Sequence, residues 1–373
     1  MDCLENGIFA RTTIKPINSV FGLESEKEQA KVYLTSGEWF TIAGLRRTGK
    51  TTLIRSVAAT IKDTNVIYMN MWELTPDELK PEQFLKYLLH KIQETVKKDK
   101  KLLQGVQIDN IQLMGVSLKL EKQQQLFHQV LEKILNQKPM IWILDEIQEL
   151  SNESHIFKYL AALHDKFAPK LSVVFLGSVV ALRQLLKITP SNPLYGRLSH
   201  EILLSPFDEV KSRTLLKEGF NQCGKTIQEN VIIEAALQLG GFAGWLTHFG
   251  RLLVLDSSAT TITDLTIVKK LLNQLEAEAE SLIVAEIARL LYDKRKAGNY
   301  LKLLKAISEE GNISVSNAAE VINRNSSTTF EYLDYLYAHG ILKKTNKTYY
   351  IGDPLTRRIF RKPDVDQKIK INI

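Results

Sequence analysis

The chain has 373 residues, 44% hydrophobic and 24% charged, with a net charge of +7. That length exceeds one ordinary core and predicts two or three domains, and the composition is that of a soluble globular protein, with no repeats and no low-complexity tract. No apolar run approaches the roughly 20 residues that span a bilayer, and Met1 to Phe21 lacks the apolar stretch of a secretion signal, so a cytoplasmic protein without membrane contact is expected. Cys3 and Cys223 are the two cysteines. With no CxxC pair and no Cys/His cluster, a disulfide framework is excluded, a zinc site is not expected, and free thiols are expected.

In chain order, Glu38 to Leu45 reads as a buried strand running into a glycine turn, and Thr51 to Ala59 as a helix. Val66 to Met71 is a second apolar strand. Pro81 to about Lys101 repeats apolar residues at helical spacing, through Phe84, Leu85, Leu88, Leu89 and Ile92. Gly105 to Gln125 has no readable period, and Leu126 to Leu135 is again helical. Pro139 to Asp145, Leu171 to Gly177 and Glu201 to Ser205 are continuous apolar runs. Apolar strands alternating with amphipathic helices predict a parallel α/β sheet covered on both faces.

After Pro206 the strand signal stops. Lys211 to Ser257 reads as helices interrupted at Gly240, Gly241 and Gly244, followed by a long helix from Ile262 to about Lys296. The tail changes grammar. Helices are expected over Tyr300 to Glu309, Ser314 to Asn323 and Ser326 to His339, the last with Phe330, Leu333 and Leu336 on one face. A hairpin around Thr345 and Asn346 follows. Three helices and a hairpin are the order of a winged helix-turn-helix. The expected domains are therefore 1–205, an α/β nucleotide-binding domain; 206–296, a helical lid; and 297–373, a winged helix.

The segment Gly44-Leu45-Arg46-Arg47-Thr48-Gly49-Lys50-Thr51 fits G-x-x-x-x-G-K-[ST] without a mismatch. Such a loop wraps phosphates with backbone N–H groups. Its lysine neutralises the β and γ phosphates, its threonine hydroxyl ligates magnesium, and the helix that opens there favours an anion. Thr52 continues the motif. Arg46 and Arg47 inside the loop can face the nucleotide, a neighbour or solvent. Met140 to Glu146 is an apolar strand ending in acid, which places a carboxylate at the edge where parallel sheets bind ligands. Asp145 is expected to hold magnesium with Thr51, and Glu146 to act as general base on an attacking water. Ser178 follows the next strand, as a γ-phosphate sensor or a plain helix cap. Arg197 precedes the fifth strand, as a transition-state arginine or a surface one. ATP is favoured over GTP, because no N-K-x-D follows the acidic strand.

Together these residues resemble the archaeal ATPase family, in the STAND branch of the AAA+ P-loop NTPases. The resemblance runs through most of the chain. Phe21, Glu24 and Glu26 look like the family's lead-in. GLRRTGKTTLI resembles its Walker A and WILDEIQEL its Walker B. FLGSVV resembles the sensor strand, SNPLYGRL the arginine motif, LLSPF the passage to the lid, and GGFAGWLTHFG the lid motif. In that last motif Ala243 stands where the family carries a proline expected to touch the base or ribose. The resemblance implies an ATPase. The expected function is an ATP- and magnesium-dependent molecular switch of slow turnover, with a protein partner and oligomerisation left open.

A DNA-binding alternative rests on charge. From Lys294 onward there are 15 Lys/Arg against 8 Asp/Glu, and 34 of each before it. Lys343, Lys344 and Lys347 at the wing, with Arg357, Arg358, Arg361 and Lys362 beyond, could meet phosphates without reading sequence. Against it, the presumed groove helix carries Glu331 and Asp334 and no base.

Overall fold

A computed structural model describes residues 2–75, 77–97, 120–150, 154–185, 192–198, 200–256, 260–292, 294 and 296–373. Most of the unplaced stretch, 105–119, lies outside them, as does the expected end of the Pro81 helix beyond Lys97. Contacts divide the chain into two units. One holds Leu23–Gly44 and Lys50–Leu204; the other holds Met1–Gly22, Leu45–Gly49 and Ser205–Ile373.

The first unit is built on a five-stranded sheet. Its strands are β1 (Phe40–Gly44), β2 (Asn65–Asn70), β3 (Met140–Asp145), β4 (Leu171–Gly177) and β5 (His200–Leu204), in the order β2-β3-β4-β1-β5. All pairs are parallel, and β1, β3 and β4 are buried at every position. This is why they read as unbroken apolar runs. Both strand ends that matter, Gly44 of β1 and Asp145 of β3, fall on the carboxyl edge, with β4 between them. Helix Lys50–Thr60 follows β1, and Leu53, Ile54, Val57 and Ala58 form its buried face. Helix Pro81–Lys97 packs on β2 and on helices Leu120–Gln137 and Ser154–Phe167. Phe84, Leu88, Phe127, Leu131 and Leu160 fill that side of the core. Helix Val179–Leu185 follows β4.

The second unit is mostly helical. Helix Glu209–Gln222 starts on Asp208, whose carboxylate accepts the Lys211 N–H at 2.7 Å. Helix Glu229–Leu239 ends at Gly240, which is left-handed. Gly241 has φ +78°, and a Cβ there would stand 1.9 Å from the Phe207 carbonyl oxygen, so both the backbone conformation and the close approach require glycine. Gly244 does not interrupt a helix as expected; it lies inside helix Ala243–Asp256. The expected end of strand structure after Pro206 is also corrected. Two short strands, β6 (Thr226–Ile227) and β7 (Thr261–Ile262), pair in parallel ahead of helix Leu265–Leu291. At two residues each they are too short to leave a period in the sequence.

Helices Ala297–Glu310, Val315–Ile322 and Ser326–Ala338 come next, in the expected order. Ser314 caps the second and Asn325 the third through side-chain oxygens. A three-stranded antiparallel sheet follows, in the order β8-β10-β9. It comprises β8 (Ile313–Ser314), β9 (Leu342–Thr345) and β10 (Thr348–Ile351), with Asn346 at φ +50° in the turn. On helix Ser326–Ala338, Leu333 and Leu336 are buried, but Phe330 is 43% exposed. Thr329 and Tyr332 complete the buried face in its place. Two unforeseen helices, Pro354–Phe360 and Val365–Asn372, close against helix Leu265–Leu291.

The N-terminal segment belongs to this unit. Phe9 is fully buried and packs edge-on to Phe220 at 4.9 Å. A Cβ on Gly219 or Gly250 would come within 2.4 Å and 2.2 Å of its ring. Those two glycines are the seat of the ring. Gln222 accepts the Ile8 N–H, and Arg251 donates to the Leu4 carbonyl. This docking brings Cys3 to Cys223, with Cα atoms 5.3 Å apart and the sulfurs joined. The expectation of free thiols is overturned. Separation in sequence says nothing of separation once residues 2–10 insert. Among the described residues no helix is long and apolar enough to cross a membrane.

Candidate active site

The site grows from the end of β1. The chain leaves the sheet at Gly44, makes the loop Leu45–Gly49, and enters a helix at Lys50. The Thr48 hydroxyl donates to the Leu45 carbonyl at 2.8 Å and so closes the loop on itself. Gly49 takes φ +98° and Arg47 φ +64°. Lys50 is buried, and its ammonium donates to the Gly44 carbonyl at 3.0 Å. A phosphate would compete for that same ammonium.

Asp145 lies at the end of β3, 5% exposed. Its carboxylate accepts three hydrogen bonds. They come from the Thr51 hydroxyl at 2.6 Å, the Tyr68 hydroxyl at 2.9 Å and the Glu146 N–H at 2.9 Å. Burial pushes its carboxyl above the ordinary carboxylate range, and the charge of Glu146 adds to the rise. The hydroxyls and Lys50 pull the other way. Burial first, then Asp145, raise the Tyr68 phenol as well. Sequence reading missed Tyr68, one residue of the β2 run. The Arg55 guanidinium covers its ring at 4.4 Å.

Thr51 and Asp145 therefore meet, as the motifs required. Their oxygens are hard donors, suited to magnesium, which keeps waters and takes few protein ligands. Among the described residues no cluster of three His, Cys, Asp or Glu could hold a metal by itself.

Glu146 follows Asp145 with φ +53°, an unusual conformation for a glutamate, and accepts from the Gln148 amide. Ser178 is buried after β4, and its hydroxyl accepts the Ala181 N–H at 3.1 Å, the contact of a helix cap. Arg197 grips Asp165 with two bonds of 2.7 and 2.6 Å and also donates to the Pro193 carbonyl. Thr52 sits half-buried in the first turn of its helix. In the second unit, Leu45, Arg46 and Arg47 lie with residues that no motif reading had placed near the loop. Arg46 and Arg47 both pair with Glu286.

Residues 36–186 match the AAA domain family. The phosphate loop and the Asp145 strand both fall within the matched residues. The likeness of fold extends beyond them. Across 95% of this chain and 100% of the other, the structure is similar to a Walker-type ATPase of Pyrococcus abyssi, with a TM-score of 0.76 and 24% identity. It is similar to the ORC2 protein of Aeropyrum pernix, solved as ADPNP–ADP complexes, with a TM-score of 0.59 and 14% identity over 98% and 97% of the two chains. The ORC1 protein of the same organism, solved with DNA, gives a TM-score of 0.52 and 13% identity over 97% of each chain. No curated protein matches the sequence. At these identities the likeness is one of fold. The parallel five-stranded sheet with flanking helices fits the P-loop α/β fold read from the motifs.

Proposed function

We propose that this protein binds ATP with magnesium and hydrolyses it slowly, as a molecular switch of the archaeal STAND type. The observation that carries the reading is Asp145, a buried carboxylate 2.6 Å from the Thr51 hydroxyl at the end of the phosphate loop. Thr51 and Asp145 would hold magnesium, which would supply positive charge to the β and γ phosphates. Gly44, Gly49 and the loop N–H groups would cradle the phosphates, and Lys50 would leave the Gly44 carbonyl for them.

Glu146 is assigned the base. Its carboxylate orients a water and accepts its proton as the water oxygen bonds to the γ phosphorus. The bond from that phosphorus to the β–γ bridging oxygen breaks, and ADP leaves. The left-handed backbone at Glu146 supports this role, since strained conformations gather at working sites. Arg197 can join only after releasing Asp165, which would slow turnover. Ser178 would report the γ phosphate through the helix it caps. Residues 206–296 are read as the lid and 297–373 as a winged helix.

The switch is favoured over a DNA-bound state by the fate of the basic tail. Arg358 pairs with Glu276, Lys362 with Glu276 and Glu280, and Lys368 with Glu280. Arg357 and Arg361 both donate to the Ser308 carbonyl. Four of the side chains that suggested a nucleic-acid surface, Arg357, Arg358, Arg361 and Lys362, are thus committed within their own unit. Lys344 and Lys347 at the turn are exposed.

Steady-state ATP hydrolysis, with and without duplex DNA, tests the reading. Glu146→Gln is expected to lose about a hundredfold or more of turnover while still binding ATP, and Lys50→Ala to lose both. Wild-type turnover indifferent to DNA supports the switch, and several-fold stimulation supports the DNA-linked alternative. Unchanged turnover in both variants contradicts the assignment of the site.

A further inference from the structure

The lid motif GGFAGWLTHFG and the two loop arginines find no role in the chemistry above, yet they meet in the second unit. Arg47 is held from four sides. Its guanidinium pairs with Glu286 at 2.8 Å and with Asp353 at 3.6 Å. It lies 4.3 Å over the ring of Trp245. Its carbonyl accepts the Gly244 N–H at 3.0 Å. The Trp245 indole N–H in turn donates to both Asp353 oxygens at 3.0 Å. Arg46 reaches the other oxygen of Glu286 at 3.2 Å. The arginines and acids are 12 to 19% exposed, so the pairs are shielded from solvent and from salt.

This clamp explains a feature of the loop. Arg47 has φ +64°, a conformation that a long side chain adopts at a cost and keeps only where its surroundings impose it. The neighbouring backbone is the part that must present N–H groups to a phosphate. Gly244 is also explained. A Cβ there would come 3.2 Å from the Arg47 Cβ and 3.4 Å from its carbonyl oxygen, tight against the loop.

We propose that Glu286 and Asp353 are positioning residues for nucleotide binding, which hold the phosphate loop in its binding shape through Arg46, Arg47 and Trp245. They touch no phosphate themselves. Because Glu286 lies on helix Leu265–Leu291 and Asp353 caps helix Pro354–Phe360, the loop shape is set by the C-terminal half of the chain. Nucleotide affinity then depends on residues more than 200 positions downstream of the loop. The proposal rests on the P-loop reading above.

Calorimetric titration of the full chain with ADP and with a non-hydrolysable ATP analogue tests it. Glu286→Gln is the main variant, since its two charged partners are Arg46 and Arg47. Asp353→Asn is the second, because asparagine keeps the helix-capping oxygen while removing the charge. Each is expected to weaken affinity about tenfold, the loss of one charged hydrogen bond. Glu286→Asp is expected to recover part of it. The melting temperature without nucleotide, which a merely structural role would lower, is expected to move little. Lys50→Ala separates the two layers. If it binds as wild type does, the P-loop reading fails. If it fails to bind while Glu286→Gln and Asp353→Asn bind as tightly as wild type or more tightly, the positioning role is overturned. In that case the acids hold the arginines away from the phosphates.

Discussion

Asp145 in the sheet unit and Glu280 in the other are treated in opposite ways. In the sheet unit, Asp145 is buried, and its carboxylate accepts from two hydroxyls and a backbone N–H. Its carboxyl is pushed up by burial. In the other unit, Glu276, Glu280, Glu286 and Asp353 each face one or more cationic side chains. Burial alone would raise Glu280, but bonds from Lys362 and Lys368 outweigh it and bring it below its ordinary value. A carboxylate matched by a cation is finished and serves structure. Asp145 accepts instead from the hydroxyls of Thr51 and Tyr68.

That contrast can be broken by mutation. The helical unit is held mainly by apolar insertion, with its ion pairs setting local geometry. Phe9→Ala should therefore be the larger lesion, costing about 3–5 kcal/mol for a fully buried ring, read by denaturant unfolding. Comparable stability would show that the glycine seat of Gly219 and Gly250 adds nothing.

Glu280→Gln should cost about 1 kcal/mol or less, because Lys362 and Lys368 remain partly solvated. The sign with pH follows from its lowered value. The contribution is present above the unfolded glutamate value of 4.5 and fades as pH falls through the lower folded one. The gap between variant and wild type should thus close in acid. A gap as large as that of Phe9→Ala, or one that widens in acid, would make ion pairs the main support of this unit.

Local chemistry was legible in the sequence, and distant chemistry was not. The parallel strands were readable because burial on both faces leaves unbroken apolar runs. The phosphate loop was readable because strand, glycines, lysine and helix start are contiguous. Tyr68 was invisible, since a tyrosine in an apolar strand looks like packing until β2 is set beside β3 and Asn70 beside Asp145. Glu286 and Asp353 lay hidden for a stronger reason: nothing near them in sequence mentions a phosphate. The ion pairs of the basic tail were not readable either, because Glu276 and Glu280 lie on another helix. Cys3 and Cys223 misled in the same way, brought together by an insertion that no periodicity announces.

The most direct test of the central claim is the magnesium dependence of ATP binding. ATP would be titrated into wild type and Asp145→Asn, with and without magnesium. The account predicts that magnesium tightens wild-type binding by about tenfold or more, and that the gain largely disappears in Asp145→Asn while magnesium-free binding survives. An equal magnesium gain in both proteins would contradict the assignment of Asp145, and with it the reading of the β3 edge as the metal side of the site.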